Sequence, residues 1–188
     1  MEQLSYLQKI SKILEPGAKV FNTGNETGWK QLQLDMNIVL PTDYKEYIKI
    51  YGTGCIDDFL WVLNPFCMNE NINFIQKGES IIDAYKTLRK SHPNIFRYNI
   101  FPEKNGLLPW GFTDNGQELY WKTGSAPDEW SVVVCEYDCY EYKMCMTEFL
   151  YKILSGEIIC DKFPEDFPDQ DVRYRAENIN GVSQQVCW

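Results

Sequence analysis

The residues able to do chemistry are few, and their spacing decides what they could do. Asp114 and Glu118 flank an Asn115-Gly116 pair, and Asp128-Glu129 make a second acidic couple further on. Two carboxylates across a turn are the raw material of a hydrolase, one donating a proton and one accepting it, provided that burial raises the pKa of one of them. Acidic residues in hairpin turns have a simpler origin, because Asp bonds its own backbone and tolerates turn conformations. The single histidine, His92, sits beside Pro93 at an expected helix end, and neither a G-x-S-x-G elbow nor a Cys-His signature accompanies it. Gly52-Thr53-Gly54 lacks the Gly-Lys-Ser/Thr continuation of a phosphate-binding loop. The cysteines, Cys55, Cys67, Cys135, Cys139, Cys145, Cys160 and Cys187, contain no C-x-x-C pair, so their spacing gives no zinc site. The expectation is a non-enzymatic protein with no catalytic residues, no metal and no cofactor.

Charge narrows the partners. Asp and Glu total 27 against 18 Lys and Arg, a formal net charge of −9 with a sequence pI of about 4.7. A nucleic-acid surface needs clustered cations to displace counterions, and no Lys/Arg-rich run is present, so direct nucleic-acid binding is disfavoured. An acidic surface favours basic protein partners. The start, MEQLSYLQKISKIL, has no apolar signal core, and nowhere do about 18 apolar residues run together, so no membrane partner is expected. An odd cysteine count without an export signal favours reduced thiols in a cytoplasmic protein.

The elements that must position these residues are legible in the periodicity. Leu4, Leu7, Ile10 and Leu14 mark a first helix that Pro16-Gly17 stops. Trp29, Leu32 and Met36 share a helical face. Thr42 can cap a helix with Tyr44, Tyr47, Ile48 and Tyr51 on one face, ended by Gly52. Ile56 to Leu63 reads as a strand, and Ile72 to Arg89 as a helix that Gly78 weakens. Four short strands follow, Phe96 to Phe101, Leu107 to Phe112, Glu118 to Lys122 and Trp130 to Tyr137, with Asn115-Gly116 as a type I′ turn. Thr147 can cap a final helix with Phe149, Leu150, Ile153 and Leu154 apolar, and Gly156 suits its C-terminal stop. Trp61 and Trp121 read as core. Trp110, between Pro109 and Gly111, stands where a strand could open into a cleft.

The ordered set LPTDYKEYIKIYGTG (40–54), LWVLNPF (60–66), LLPWGFTDNGQELYW (107–121), PDEWSVVVCEYD (127–138) and MTEFLYKILSGEI (146–158) resembles the SUKH superfamily, over roughly residues 25 to 168. Its members include the Smi/Knr-type regulator of fungal cell-wall synthesis and many bacterial immunity proteins. The resemblance implies an α+β fold, a mostly antiparallel sheet covered by helices on one face. The whole of 1–188 then forms one domain, with an N-terminal helix and loop over 1–24 and a C-terminal extension over 169–188. It also implies a protein-binding function: most directly an immunity protein occluding a co-encoded basic toxin, nucleases among them, or else a regulatory scaffold for cellular proteins. The segment matching WGFTDNG is a family hallmark beside a proposed partner-binding face, which marks Trp110, Asp114 and Gly116. Asp57, Asp58, Asp128 and Glu129 join them as acidic groups able to steer a basic partner.

Overall fold

Apolar residues at helical spacing become helices here wherever a breaker ends the run. The computed structural model describes residues 2–177; the side chain of Leu4, Cys187, Trp188 and positions 178–188 of the expected extension lie outside the described residues. In chain order the elements are α1 (Glu2–Ile13), α2 (Glu26–Met36), α3 (Thr42–Tyr51), β1 (Gly54–Ile56), β2 (Leu60–Val62), α4 (Gln76–Ser91), β3 (Leu107–Thr113), β4 (Glu118–Lys122), a 3₁₀ turn (Pro127–Glu129), β5 (Ser131–Cys135), β6 (Cys139–Tyr142), α5 (Met146–Leu154) and β7 (Tyr174–Ala176). α3 buries Tyr44, Tyr47, Ile48 and Tyr51 as one stripe, each worth about 1.5–3 kcal/mol on burial. Gly52 ends it at φ 65, where an added Cβ would lie 2.0 Å from the Phe21 carbonyl oxygen. α2 buries no residue fully and is held by Trp29, whose ring meets Phe66 and Tyr44 edge-on at 4.7 and 5.8 Å.

Thr42 and Thr147, expected to cap their own helices, are instead first-turn donors held by carboxylates from elsewhere. Asp128 accepts the Thr42 N–H at 2.6 Å and its hydroxyl at 3.1 Å at the start of α3. Asp43, itself on α3, accepts the Thr147 N–H at 2.9 Å and its hydroxyl at 3.1 Å at the start of α5. Each carboxylate meets the positive end of a helix dipole and satisfies N–H groups that the helix leaves open. The 3₁₀ turn, α3 and α5 are thereby linked in series.

The strands form one seven-stranded antiparallel sheet in the order β6-β5-β4-β3-β2-β1-β7. Trp121 and Tyr120 are neighbours on β4 and point to opposite faces. Trp121 meets Tyr44 of α3 at 4.9 Å, and on that face α1, α3 and α5 make the larger layer. Tyr120 meets Tyr85 of α4 at 5.9 Å, so α4 adds a partial cover to the other face, where Gly78 packs beside Pro109. The architecture is α+β, as expected. Among the described residues no helix is long and apolar enough to cross a membrane.

Several local expectations are corrected. Residues 96–101 make turns with a single bridge, Ile100↔Leu107, because Phe96 is used to pack edge-on against Tyr85 at 5.5 Å rather than to extend the sheet. The expected strand 56–63 splits into β1 and β2 around Asp57 and Asp58, both at positive φ, 51 and 50. At the β3–β4 turn only Gly116 has positive φ, 92, and the Gly116 N–H bonds the Thr113 carbonyl at 3.0 Å. That is a three-residue loop with its glycine in the left-handed region, not the two-residue type I′ turn. Cys135 and Cys139 are joined by a disulfide, which overturns the expectation of seven reduced thiols. β5–β6 pairing sets the two residues directly opposite each other, a proximity that their spacing in sequence does not announce. Cys55, Cys67, Cys145 and Cys160 are free.

Candidate functional site

The residues marked from sequence do not share one face. The β1–β2, β3–β4 and β5–β6 turns lie at one end of the sheet, because successive antiparallel hairpins turn at the same end. Asp57, Asp58, Asp114 and Gly116 are there, whereas Asp128 and Glu129 sit on the β4–β5 connection at the opposite end.

Trp110 belongs to neither end. It is the extra residue of a bulge between Pro109, paired with Tyr120, and Gly111, paired with Leu119. Trp110 shares the face of Leu108, two residues before it and paired with Trp121, while the bulge turns Phe112, beyond it, to the opposite face with Glu118. Trp110 therefore enters the helix-covered core at 0 % exposure, with Trp121 at 6.2 Å and Phe149 at 6.4 Å. A partner cannot use a ring with no accessible surface, so its expected anchoring role is corrected to a core one. Trp61, expected in the core, is the partly exposed indole instead.

The hairpin-tip end is tied together by specific bonds. The Asp114 N–H donates to the Phe59 carbonyl at 3.0 Å, and the Asp114 carboxylate accepts the Trp61 indole N–H at 2.8 Å. Gln117 reaches Glu136 across to the β5–β6 turn at 3.2 Å. The segment after α5 then returns as a strap. Phe163 and Phe167 pack on Phe59 at 5.5 and 4.6 Å, Lys162 pairs with Asp138, and Asp57 accepts the N–H groups of Asp169 at 3.1 Å and Arg173 at 2.7 Å. Burial raises the Asp57 pKa, and those two backbone N–H groups oppose the shift. Asp57, and Asp58 through its pair with Arg175, are thus structural holders of the strap as well as acidic groups.

Charge segregates at this end. Asp57, Asp58, Asp114, Glu136 and Asp138 on the turns are joined by Asp161, Glu165, Asp166, Asp169 and Asp171 on the strap, against Lys162, Arg173 and Arg175. Two exposed rings stand beside them, Tyr137 at 83 % and Tyr140 at 60 % exposure. These tyrosines escaped the sequence reading because a turn and an edge strand beyond β5 were not expected there.

At the opposite end a cleft of about 460 Å³ is lined by Tyr6, Asp128, Glu129, Cys145 and Glu148 among others. Its charges are nearly matched: Glu148 pairs with Lys152 at 2.6 Å, Glu141 with Lys122 at 2.8 Å, and Lys143 adds a further cation. Burial, and next the charge of Asp43, push the Cys145 thiol up to about 11, which keeps it protonated and a poor nucleophile at neutral pH. Asp128 is spent on the α3 start.

The imagined carboxylate pair also separates. Asp114 serves Trp61, while Glu118, raised by burial, serves the Tyr120 hydroxyl. Among the described residues no group of three or more His, Cys, Asp or Glu could hold a metal ion. No family model matches the sequence, and neither a curated protein nor a solved structure matches it. What the geometry offers chemically is an acidic, aromatic-studded end on a braced sheet.

Proposed function

We propose that this chain is a non-enzymatic SUKH-type immunity protein of the cytoplasm that binds a co-encoded basic toxin domain and blocks it by occlusion. The observation that carries the reading is the segregation of charge: one end of the sheet concentrates carboxylates beside Tyr137 and Tyr140, while the cleft end is nearly balanced. Carboxylates so grouped attract a basic surface over about 8 Å at physiological salt and act mainly on the encounter. Tyrosines supply the apolar contact that slows release.

The test is stopped-flow binding to the product of the adjacent gene at low and high salt. Neutralising Asp161, Glu165 and Asp166 together slows association with a smaller effect on dissociation. Tyr137→Ala with Tyr140→Ala accelerates dissociation by about 2 kcal/mol or more, the hot-spot threshold. Salt-independent association, or wild-type kinetics in both folded variants, refutes the reading.

A further inference from the structure

Arg175 of β7 stands in one cross-strand row with Cys55 of β1, Trp61 of β2 and Phe112 of β3, so the four side chains share a sheet face. Reaching over the small buried Cys55, the Arg175 guanidinium lies 5.5 Å from the centroid of the Trp61 ring. Its Nε is held by Asp58, and a terminal nitrogen pairs with Glu177. The indole beneath is itself fixed. Its N–H donates to Asp114 at 2.8 Å, and its plane runs within 9° of Phe112 beside it. An oriented aromatic face for a planar cation, with carboxylates for the N–H fork, is the equipment of a guanidinium receptor.

We propose that Trp61, its indole held by Asp114, forms with Asp58 and Glu177 an arginine-recognition site, that Arg175 of the chain's own strap fills it in the free protein, and that an arginine of a basic partner takes it over on binding. The identity of the incoming arginine rests on the proposed function; the receptor itself does not. The occupant is replaceable, since the Arg175 and Asp58 side chains are 50 % and 73 % exposed. The strap stays in place when Arg175 leaves, because Asp57 grips its backbone and the Tyr174 hydroxyl bonds the Tyr51 carbonyl at 3.0 Å. A lysine could approach the ring but could not place one donor fork on both carboxylates while its charge lies over the indole.

The experiment titrates N-acetyl-arginine amide, and separately N-acetyl-lysine amide, into the full chain while following the Trp61 indole ¹H–¹⁵N resonance, assigned through Trp61→Phe. An internal occupant that fills the site about nine parts in ten lowers apparent affinity about tenfold, so Arg175→Ala saturates at roughly one tenth of the wild-type concentration. Arg175→Gln behaves the same way, and adding Asp58→Asn to Arg175→Ala removes most of the gain. Thermal melts confirm that each variant is folded. Equal midpoints in wild type and Arg175→Ala, an equal response to the lysine probe, or no saturable shift in Arg175→Ala overturns the proposal. The probe carries no partner sequence, so failure to bind the adjacent gene product with probe binding intact removes the immunity reading and leaves the receptor standing.

Discussion

Replacing Asp43 by alanine tests whether one buried carboxylate joins α3 to α5. Asp43 is 1 % exposed and accepts hydrogen bonds from the Tyr44 N–H at 2.8 Å, the Thr147 N–H at 2.9 Å and the Thr147 hydroxyl at 3.1 Å, with the Cys145 side chain as a further partner. Bonds to a charged acceptor are worth about 1.5–3 kcal/mol each, and burial of the charge gives part of that back. The balance is a loss of about 2–4 kcal/mol, or about 5–15 °C in Tm for a chain of this size. Urea titration should show a lower midpoint with an unchanged slope. Asp43→Asn keeps one acceptor and should lose less. pH gives an independent arm. Burial raises the folded pKa of Asp43 above its ordinary 3.8, against the lowering effect of the Thr147 bonds. Between that value and the raised one the folded state holds the extra proton, so the group's contribution to stability falls as pH rises through the window and is level above it. Asp43→Asn lacks this slope, and the wild-type advantage over it should shrink across the same window. Stability of Asp43→Ala within about 0.5 kcal/mol of wild type would refute the cap, and an advantage that grows with pH would refute the dominance of burial.

Gly116→Val should destabilise by about 1–3 kcal/mol, because Gly116 is at φ 92 and nothing lies within 4 Å of an added Cβ, which leaves backbone strain as the whole cost. An unchanged melt would remove the turn assignment. Thiol titration of the denatured chain without reductant should give two fewer reactive groups than after reduction, the Cys135–Cys139 pair. Equal counts under both conditions would show that the bond is absent.

Helices α3 and α5 and strand β4 are legible in the residues themselves. Their signals are local: a tyrosine and isoleucine stripe ended by Gly52, an apolar face over 149–154, and a short aromatic run after a glycine turn. The charge balance and the scarcity of catalytic types are equally local, so both could be read without a fold. The site was not. Trp110 lies on the helix-covered face of Leu108, and Phe112 past it changes face because a single inserted residue in β3 shifts the pleat, an insertion that exists only relative to β4. Asp57, Asp58 and Asp128 look like free surface acids until the strap, Arg175 and the start of α3 arrive from distant parts of the chain to engage them. Trp61 reads as core because large rings usually are, and only the pairing of β1, β2 and β7 shows it beneath a guanidinium. Periodicity reports which face of an element is apolar; which strand pairs with which, in what register, is set by contacts between residues far apart in sequence, and those contacts decide where the functional side chains point.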